Sequence, residues 1–299
     1  MIAILGASGF IGQNLMKNLS SQFETKPISL RDQKWNDKVI DSNVLINLVG
    51  KAHDHKRTAT ERDYYHANVD LVKEIFLEFI KSDAELLIHI SSLAALEEFE
   101  SNQPLTEEDL THPQSFYGKS KRKAEKWLLS QNLPQHKKII ILRPPMVHGD
   151  GDRGNLGLLY KLISKGIPYP LSSFDNHRSF ISITNFSFFI QEIIKNHATL
   201  ESGIYHVSDD EPVSTKNIIN IIKKIENRNV FNLNIPKAII RAIAKIGDVL
   251  PIPLNTKRLK KMTSNLEVSN QKIKSALQIE KLPLTAEQGL VITIKSFKK

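Results

Sequence analysis

The sequence predicts an α/β fold: a doubly wound parallel sheet with a smaller mixed α/β lobe at its C-terminal end. Three observations predict it. Short apolar runs of strand length alternate with stretches of helical periodicity through the first half of the chain, the pattern of βαβ units. A glycine-rich turn joins the first apolar run to the first helical stretch. Beyond about residue 150 the alternation loosens into helices separated by short strands. We therefore expect a first domain over 1–150 and a second unit over 151–299, interwoven with the first. A chain of 299 residues accommodates both.

The elements follow in order. Ile2 to Leu5 is a buried strand ended by Gly6, and Phe10, Ile11, Leu15 and Leu19 mark a helix over 10–20. Residues 27–30 form a second short strand. Val44 to Val49 is a third, ended by Gly50. Val69, Val72, Phe76, Phe79 and Ile80 share one face of a helix over 60–81. Leu86 to Ile90 is the next strand, and a helix around 115–131 follows it. Ile139 to Leu142 is a further strand, stopped by Arg143-Pro144-Pro145. After the turn-rich 149–154, helices are expected near 155–165, 184–196, 214–226 and 236–247, with a strand at 204–207. In the 236–250 stretch, Ile239, Ile243, Ile246 and Leu250 lie on one side and Lys237, Arg241, Lys245 and Asp248 on another. Such a helix suits a membrane surface, but we expect its apolar side to pack on the protein's own core.

Composition narrows the function. The chain has no cysteine, which removes disulfides and thiolate metal sites. No apolar run approaches the roughly 20 residues of a membrane span, and the N-terminus lacks the basic leader of a signal peptide. We expect a cytoplasmic protein with no membrane insertion. The formal charge of +9 suits anionic partners. No basic patch is interleaved with aromatics, so nucleic acid is not expected. His53-Asp54-His55 has no third ligand at metal spacing. In Asp150-Gly151-Asp152-Arg153-Gly154 the twelfth loop position is Lys161 rather than Glu, which removes calcium. No metal is expected.

Gly6-Ala7-Ser8-Gly9-Phe10-Ile11-Gly12 lies between strand and helix. Glycines there let the backbone approach a pyrophosphate, and the helix N-terminus supplies free N–H groups and the positive dipole end. Gly6, Ser8, Gly9, Phe10, Ile11 and Gly12 are thus candidate cofactor residues of a Rossmann-type dinucleotide site. The second strand is expected to end at Leu30-Arg31-Asp32. Arg31 there suits a 2′-phosphate, which favours NADP(H) over NAD(H).

Tyr117-Gly118-Lys119-Ser120-Lys121 contains Tyr-x-x-x-Lys, whose two ends share a helix face. A free tyrosine has a pKa of about 10. A neighbouring ammonium favours the phenolate and makes Tyr117 a usable acid–base group. The preceding strand ends at Ser91-Ser92, where a hydroxyl can orient a substrate oxygen. Ser92, Tyr117 and Lys121 are the candidate catalytic set.

With these motifs in this order, the chain resembles the extended short-chain dehydrogenase/reductases, the NAD-dependent epimerase/dehydratase group acting on nucleotide sugars. The resemblance runs over nearly the whole chain. It implies that Leu48, Val49 and Gly50 of Asn47-Leu48-Val49-Gly50 lie below the cofactor, and that Asn68 is structural. It implies that the segment Leu142 to Gly149 lines the nicotinamide, with Pro144 and Val147 as candidate cofactor residues. Tyr117 and Lys121 would also touch the cofactor. Asn155 of Gly154-Asn155-Leu156 and Arg178 of Arg178-Ser179-Phe180-Ile181 would hold a nucleotide diphosphate. Arginine's planar fork suits that role; surface ion pairing for Arg178 and helix capping for Asn155 are the structural alternatives. The segments from Val268 and from Thr285 resemble the closing helices, and the family implies a homodimer through two helices. One departure is visible. Only about a dozen residues separate the second strand from Val44, so the usual intervening helix and strand are shortened or absent.

Dehydratases of this group carry an Asp-Glu pair after the catalytic hydroxyl; here those positions are Leu93 and Ala94. Hydride transfer at one carbon remains. Lys51-Ala52-His53 and the Arg-Ser-Phe-Ile-Ser variant resemble a subgroup that reduces UDP-4-keto-6-deoxy-N-acetylhexosamines for surface polysaccharide. That adds Lys51 and His53, with Ser92, Asn155 and Arg178, as candidate substrate residues for a UDP-sugar, and makes an NAD(P)H-dependent 4-reductase the leading expectation. A UDP-hexose or hexosamine 4-epimerase with tightly bound NAD is the alternative. A non-catalytic NAD(P)-binding regulator is a third, which the intact Ser-Tyr-Lys set disfavours.

Overall fold

Parallel strands are covered on both faces, so they need runs that are apolar throughout rather than alternating. The chain supplies such runs, and the computed structural model assembles them; it describes residues 1–52, 58–152, 154–228, 230–231, 233–250 and 254–298. The strands are β1 (Ile2–Leu5), β2 (Thr25–Ile28), β3 (Val44–Asn47), β4 (Leu86–Ile90), β5 (Lys138–Arg143), β6 (Met146–His148), β7 (Phe180–Ser182) and β8 (Gly203–His206). Every residue of β1, β3 and β4 is buried. The sheet is six-stranded and parallel throughout, in the order β2-β1-β3-β4-β5-β8. The chain leaves β1 to form β2 on one side and returns to form β3 on the other. The carboxyl ends of β1 and β3 are thus the switch point at which such sheets bind ligands.

Helices α1 (Phe10–Leu19), α2 (Glu61–Tyr65), α3 (Leu71–Lys81) and α4 (Phe116–Leu129) complete the first half. They are followed by α5 (Asn155–Ser164), α6 (Ile183–Asn196), α7 (Thr215–Glu226), α8 (Lys237–Ile246), α9 (Thr256–Thr263), α10 (Gln271–Ala276) and α11 (Ala286–Ser296). One sheet face packs on α1 and α6 through Leu15, Leu19, Phe186 and Phe189. The other packs on α3 and α4 through Val72, Phe76, Ala124 and Leu128. This is the doubly wound, Rossmann-type arrangement that the alternating pattern predicts. After residue 150, α6 and β8 return to the sheet, whereas α5, α7 and α11 gather around a separate apolar cluster. Two parallel three-residue strands, β6 and β7, join the two parts. No helix among the described residues is long and apolar enough to cross a membrane.

Three features differ from the sequence expectation. Strand β2 ends at Ile28, two residues earlier than expected, because its pairing with β1 stops at Leu5↔Ile28. It is an edge strand, which tolerates Pro27, and Leu30 folds back against the second cluster. From there to β3 the chain makes only short turns, such as Asp32 N–H to Ser29 O at 3.0 Å, so the expected gap in the usual architecture is present. The helix over 60–81 is interrupted by a π turn at His66–Asp70. Finally, α8 does not bury the side expected to face the core. It buries Ile240 and Ala244, while Ile239, Ile243, Ile246 and Leu250 are exposed. The helix rests on the protein by a narrow edge, and the i, i+4 row turns outward.

Candidate active site

The turn after β1 fits a pyrophosphate. Gly6 has φ of +84°, a conformation that side chains disfavour, and a Cβ on Gly12 would lie 2.6 Å from the Gly6 carbonyl and the Ala7 Cα. Helix α1 therefore starts against the turn. Gly9 caps it with no side-chain hydrogen bond, and the first turn holds no acid. The first intrahelical N–H bond comes from Gln13, to the Gly9 carbonyl at 2.9 Å. The N–H groups of Phe10, Ile11 and Gly12 are thus left to a ligand. Ser8 is exposed at the loop tip, and Phe10 and Ile11 are half-buried behind it. Leu48 and Val49, also half-buried, follow β3 at the switch point, with Val49 N–H held by Asn47 Oδ1 at 2.9 Å and Gly50 exposed beyond. Arg31 is exposed three residues past the end of β2, while the Asp32 carboxylate pairs with Lys38.

Helix α4 opens at Ser115, whose hydroxyl accepts from Gly118 N–H at 3.0 Å. Its first turn presents Tyr117 and, one turn on, Lys121. Ser92 at the end of β4 shares a hydrogen bond with the Tyr117 hydroxyl and accepts from Ala94 N–H at 3.2 Å. Lys121 is buried, and its Nζ donates to the Ile90 carbonyl at 2.8 Å, two residues before Ser92. The three predicted residues therefore converge. The electrostatics depart from expectation. Burial pushes the Tyr117 phenol above its ordinary pKa, nearby Glu98 adds to the rise, and only the Ser92 hydrogen bond opposes it. Burial also lowers Lys121 to about 8, against the pull of Glu125. Desolvation outweighs the ammonium's help because both groups sit in the same dry crevice.

On the substrate side, Arg178 is half-buried and pairs with no carboxylate among the described residues. Its Nη1 rests on the carbonyls of Ser264 at 3.2 Å and Phe99 at 3.4 Å, and burial lowers its pKa to about 10. A surface ion pair does not explain it; a desolvated cation held by carbonyls is ready for an anion. Asn155 is exposed at the first position of α5, and Gly154 rather than Asn155 caps that helix. Lys51 is half-buried with its Nζ 5.9 Å from the Tyr64 ring centre, and Asn68 holds its backbone at both ends, at 2.8 and 3.1 Å. His53 lies outside the described residues. Pro144 is buried, with its carbonyl accepting from Leu93 N–H at 2.9 Å, and Val147 packs half-buried on the first core cluster.

Residues 2–207 match the NAD dependent epimerase/dehydratase family. The chain belongs to that family. It is accordingly an enzyme of nucleotide-sugar chemistry that works with a nicotinamide cofactor. Among curated relatives it is similar to a UDP-glucose 4-epimerase of Vibrio cholerae, 26% identical across 99% of this chain and 95% of that one. It is also similar to an N-acetyl-alpha-D-glucosaminyl-diphospho-ditrans,octacis-undecaprenol 4-epimerase of Escherichia coli O157:H7, 23% identical across 98% and 94%. In fold it resembles UDP-glucuronic acid 4-epimerase from Bacillus cereus in complex with NAD, with TM-score 0.76, 17% identity and 99% and 98% coverage. It likewise resembles RMD from Pseudomonas aeruginosa complexed with NADPH, with TM-score 0.73, 14% identity and complete coverage of both chains.

Within this epimerase/dehydratase fold, sequence reasoning expected Asn68 to be structural but missed Glu125 and Glu98, which also hold the crevice in shape. Arg143 is buried and forks onto Glu125 of α4, with Nε to Oε1 at 2.8 Å and Nη2 to Oε2 at 2.7 Å. Ser91 donates to the same Glu125 Oε1 at 2.6 Å. Glu125 thus locks α4, β4 and β5 together one turn below Lys121. On the other side, Asn68 of the π turn donates to Ser120 at 2.8 Å while holding Lys51. Glu98 accepts from Gln114 N–H, Ser115 N–H and Ser115 Oγ at 2.8 to 3.0 Å, fixing the start of α4. The signal available for Glu125 was its place four residues after Lys121, on the same helix face.

Proposed function

We propose that this chain is a UDP-hexose or UDP-hexosamine 4-epimerase that retains NAD through its cycle. The observation that carries the reading is the similarity, over nearly the full length of both chains, to two 4-epimerases. The site supports it. Ser92, Tyr117 and Lys121 suffice for a redox step at one carbon, and buried Leu93 with Ala94 leaves no carboxylate pair for eliminating water. The 4-reductase expectation has narrower support: a dTDP-4-dehydrorhamnose reductase of Aggregatibacter actinomycetemcomitans is 26% identical, but across 71% of this chain and 74% of that one. Because β2 ends at Ile28, Arg31 no longer stands at the strand end, and the positional argument for NADP falls away.

In this reading the first 150 residues hold the cofactor at Gly6, Gly9 and Gly12, and the later lobe holds the UDP diphosphate at Arg178 and Asn155. Held at the switch point by the Gly6–Gly12 turn, NAD would supply a reversible hydride acceptor for C4 of the sugar. Tyr117 Oη takes the C4 hydroxyl proton as the C–O bond becomes a ketone, then gives it back after the sugar has turned. Ser92 holds the C4 oxygen. Lys121, once drawn to the nicotinamide ribose, brings its charge to bear on the Tyr117 phenolate.

The test uses protein purified without added cofactor. Denaturation releases NAD, UDP-glucose or UDP-N-acetylglucosamine converts to its C4 epimer, and Tyr117→Phe loses roughly 10²–10⁴-fold in turnover. Stoichiometric loss of NADPH or NADH with a UDP-4-keto-6-deoxy-N-acetylhexosamine, and no epimer formation, overturns the reading in favour of the reductase.

A further inference from the structure

Helix α8 turns an aliphatic row to solvent. Ile239, Ile243 and Ile246 recur at i, i+4 and i+7 and so share one face, Leu250 follows in the turn after the helix, and each of the four is between 41% and 54% exposed. Among the described residues the helix buries only Ile240 and Ala244, against Leu171 and Leu259, and its Lys237 Nζ lies 5.6 Å from the Phe174 ring centre. Eight of the sixteen exposed large hydrophobic side chains among the described residues fall within 231–262. Apolar surface concentrated in this way marks an interaction site.

The charge around it selects the partner. Residues 231–264 hold seven Lys and Arg against one acid, Asp248, a net +6 in a chain of +9, with Lys260 paired to Glu100 at 2.7 Å. Asp248 is engaged by Thr256 at 2.6 Å. Lys237, Arg241 and Lys245 are exposed along the opposite side of α8 from the aliphatic row. A second copy of this chain fits poorly, because a two-fold contact over 231–264 would bring two stretches of the same net positive charge together. The stretch has no Trp or Tyr, the usual anchors of protein interfaces. An aliphatic face backed by Lys and Arg is what an interfacial helix offers to anionic lipid.

We propose that α8 seats the enzyme peripherally on an anionic membrane surface, with the aliphatic row in the headgroup boundary and the net positive charge of 231–264 drawing that face to anionic lipid. The seat adjoins the candidate site. Leu259 of α9 packs with α8, and the carbonyl of Ser264, next after α9, carries the Arg178 guanidinium.

The full chain is sedimented with vesicles of phosphatidylcholine alone and of phosphatidylcholine with phosphatidylglycerol. The expected result is binding to the phosphatidylglycerol vesicles that weakens with added salt, and that falls about tenfold in Ile243→Ser/Ile246→Ser. Thermal unfolding of that variant checks that it is folded. No binding to phosphatidylglycerol vesicles overturns the proposal, as does binding that the double substitution leaves unchanged. A double variant that turns an oligomer into a monomer without altering vesicle binding also overturns it and assigns the face to a second copy. The readout does not depend on which sugar the enzyme uses.

Discussion

Helices α4 and α8 invert the ordinary rule of burial in opposite directions. Helix α4 buries Ser120, Lys121 and Glu125 along with Ala124 and Leu128, whereas α8 buries two residues and exposes most of its isoleucines. Burying charge and exposing large apolar surface are both unfavourable unless something compensates. In α4 the compensation is internal. Arg143 and Ser91 satisfy Glu125, the Ile90 carbonyl satisfies Lys121, and Asn68 satisfies Ser120. In α8 nothing among the described residues covers the aliphatic row, which points to a partner outside the chain. The contrast separates a helix that must be held still from one whose exposed face awaits contact.

Breaking the internal compensation has the largest effect. Glu125→Ala leaves Arg143, 1% exposed, as an unpaired buried cation and leaves Ser91 without its acceptor. Removing one partner of a buried pair costs roughly 3–5 kcal/mol. Urea unfolding measures it, and a loss under about 1 kcal/mol would show that α4 is held by its apolar contacts alone. Glu125→Ala/Arg143→Met should recover part of the loss, because it removes the stranded charge.

Lys121 sharpens the comparison next, through pH. Its folded pKa of about 8 lies below the unfolded value, so the fold resists the charged amine. That penalty is complete below pH 8 and disappears as pH rises toward about 10.4, a span of roughly 3 kcal/mol. Wild type should therefore gain stability relative to Lys121→Met between pH 7 and pH 10. A difference that stays flat over that range would mean that the amine keeps its ordinary pKa and is not truly desolvated.

The same contrast explains what was legible in the sequence. The apolar runs of β1, β3, β4 and β5 admit one reading, since only a sheet covered on both faces buries them. The glycine turn and the Ser92, Tyr117 and Lys121 spacing were legible for the same reason: each depends on a few neighbouring residues. The end of β2 was not, because it is set by where β1 stops pairing. The π turn was not, because Asn68 must reach Lys51 and Ser120 together. Glu125 sits among lysines, and Arg122 at 3.1 Å makes it resemble a solvated helix pair. Its burial arises only when β5 brings Arg143 across. In α8 the periodicity marked an apolar face but could not say that Ile240 and Ala244, rather than the longer row, would meet the protein.

That last distinction yields the smallest expected effect, within a single helix. Ile243→Ser removes a side chain 41% exposed, so it should change stability by less than about 0.5 kcal/mol, the range for surface positions. Ile240→Ala, three residues away and 2% exposed, opens a cavity beside Leu171 and Leu259 and should be clearly destabilising. Chemical denaturation of the two variants in lipid-free buffer compares them directly. Equal losses would mean that the isoleucine row is covered in solution, and α8 would then join α4 as a helix whose compensation is already in place.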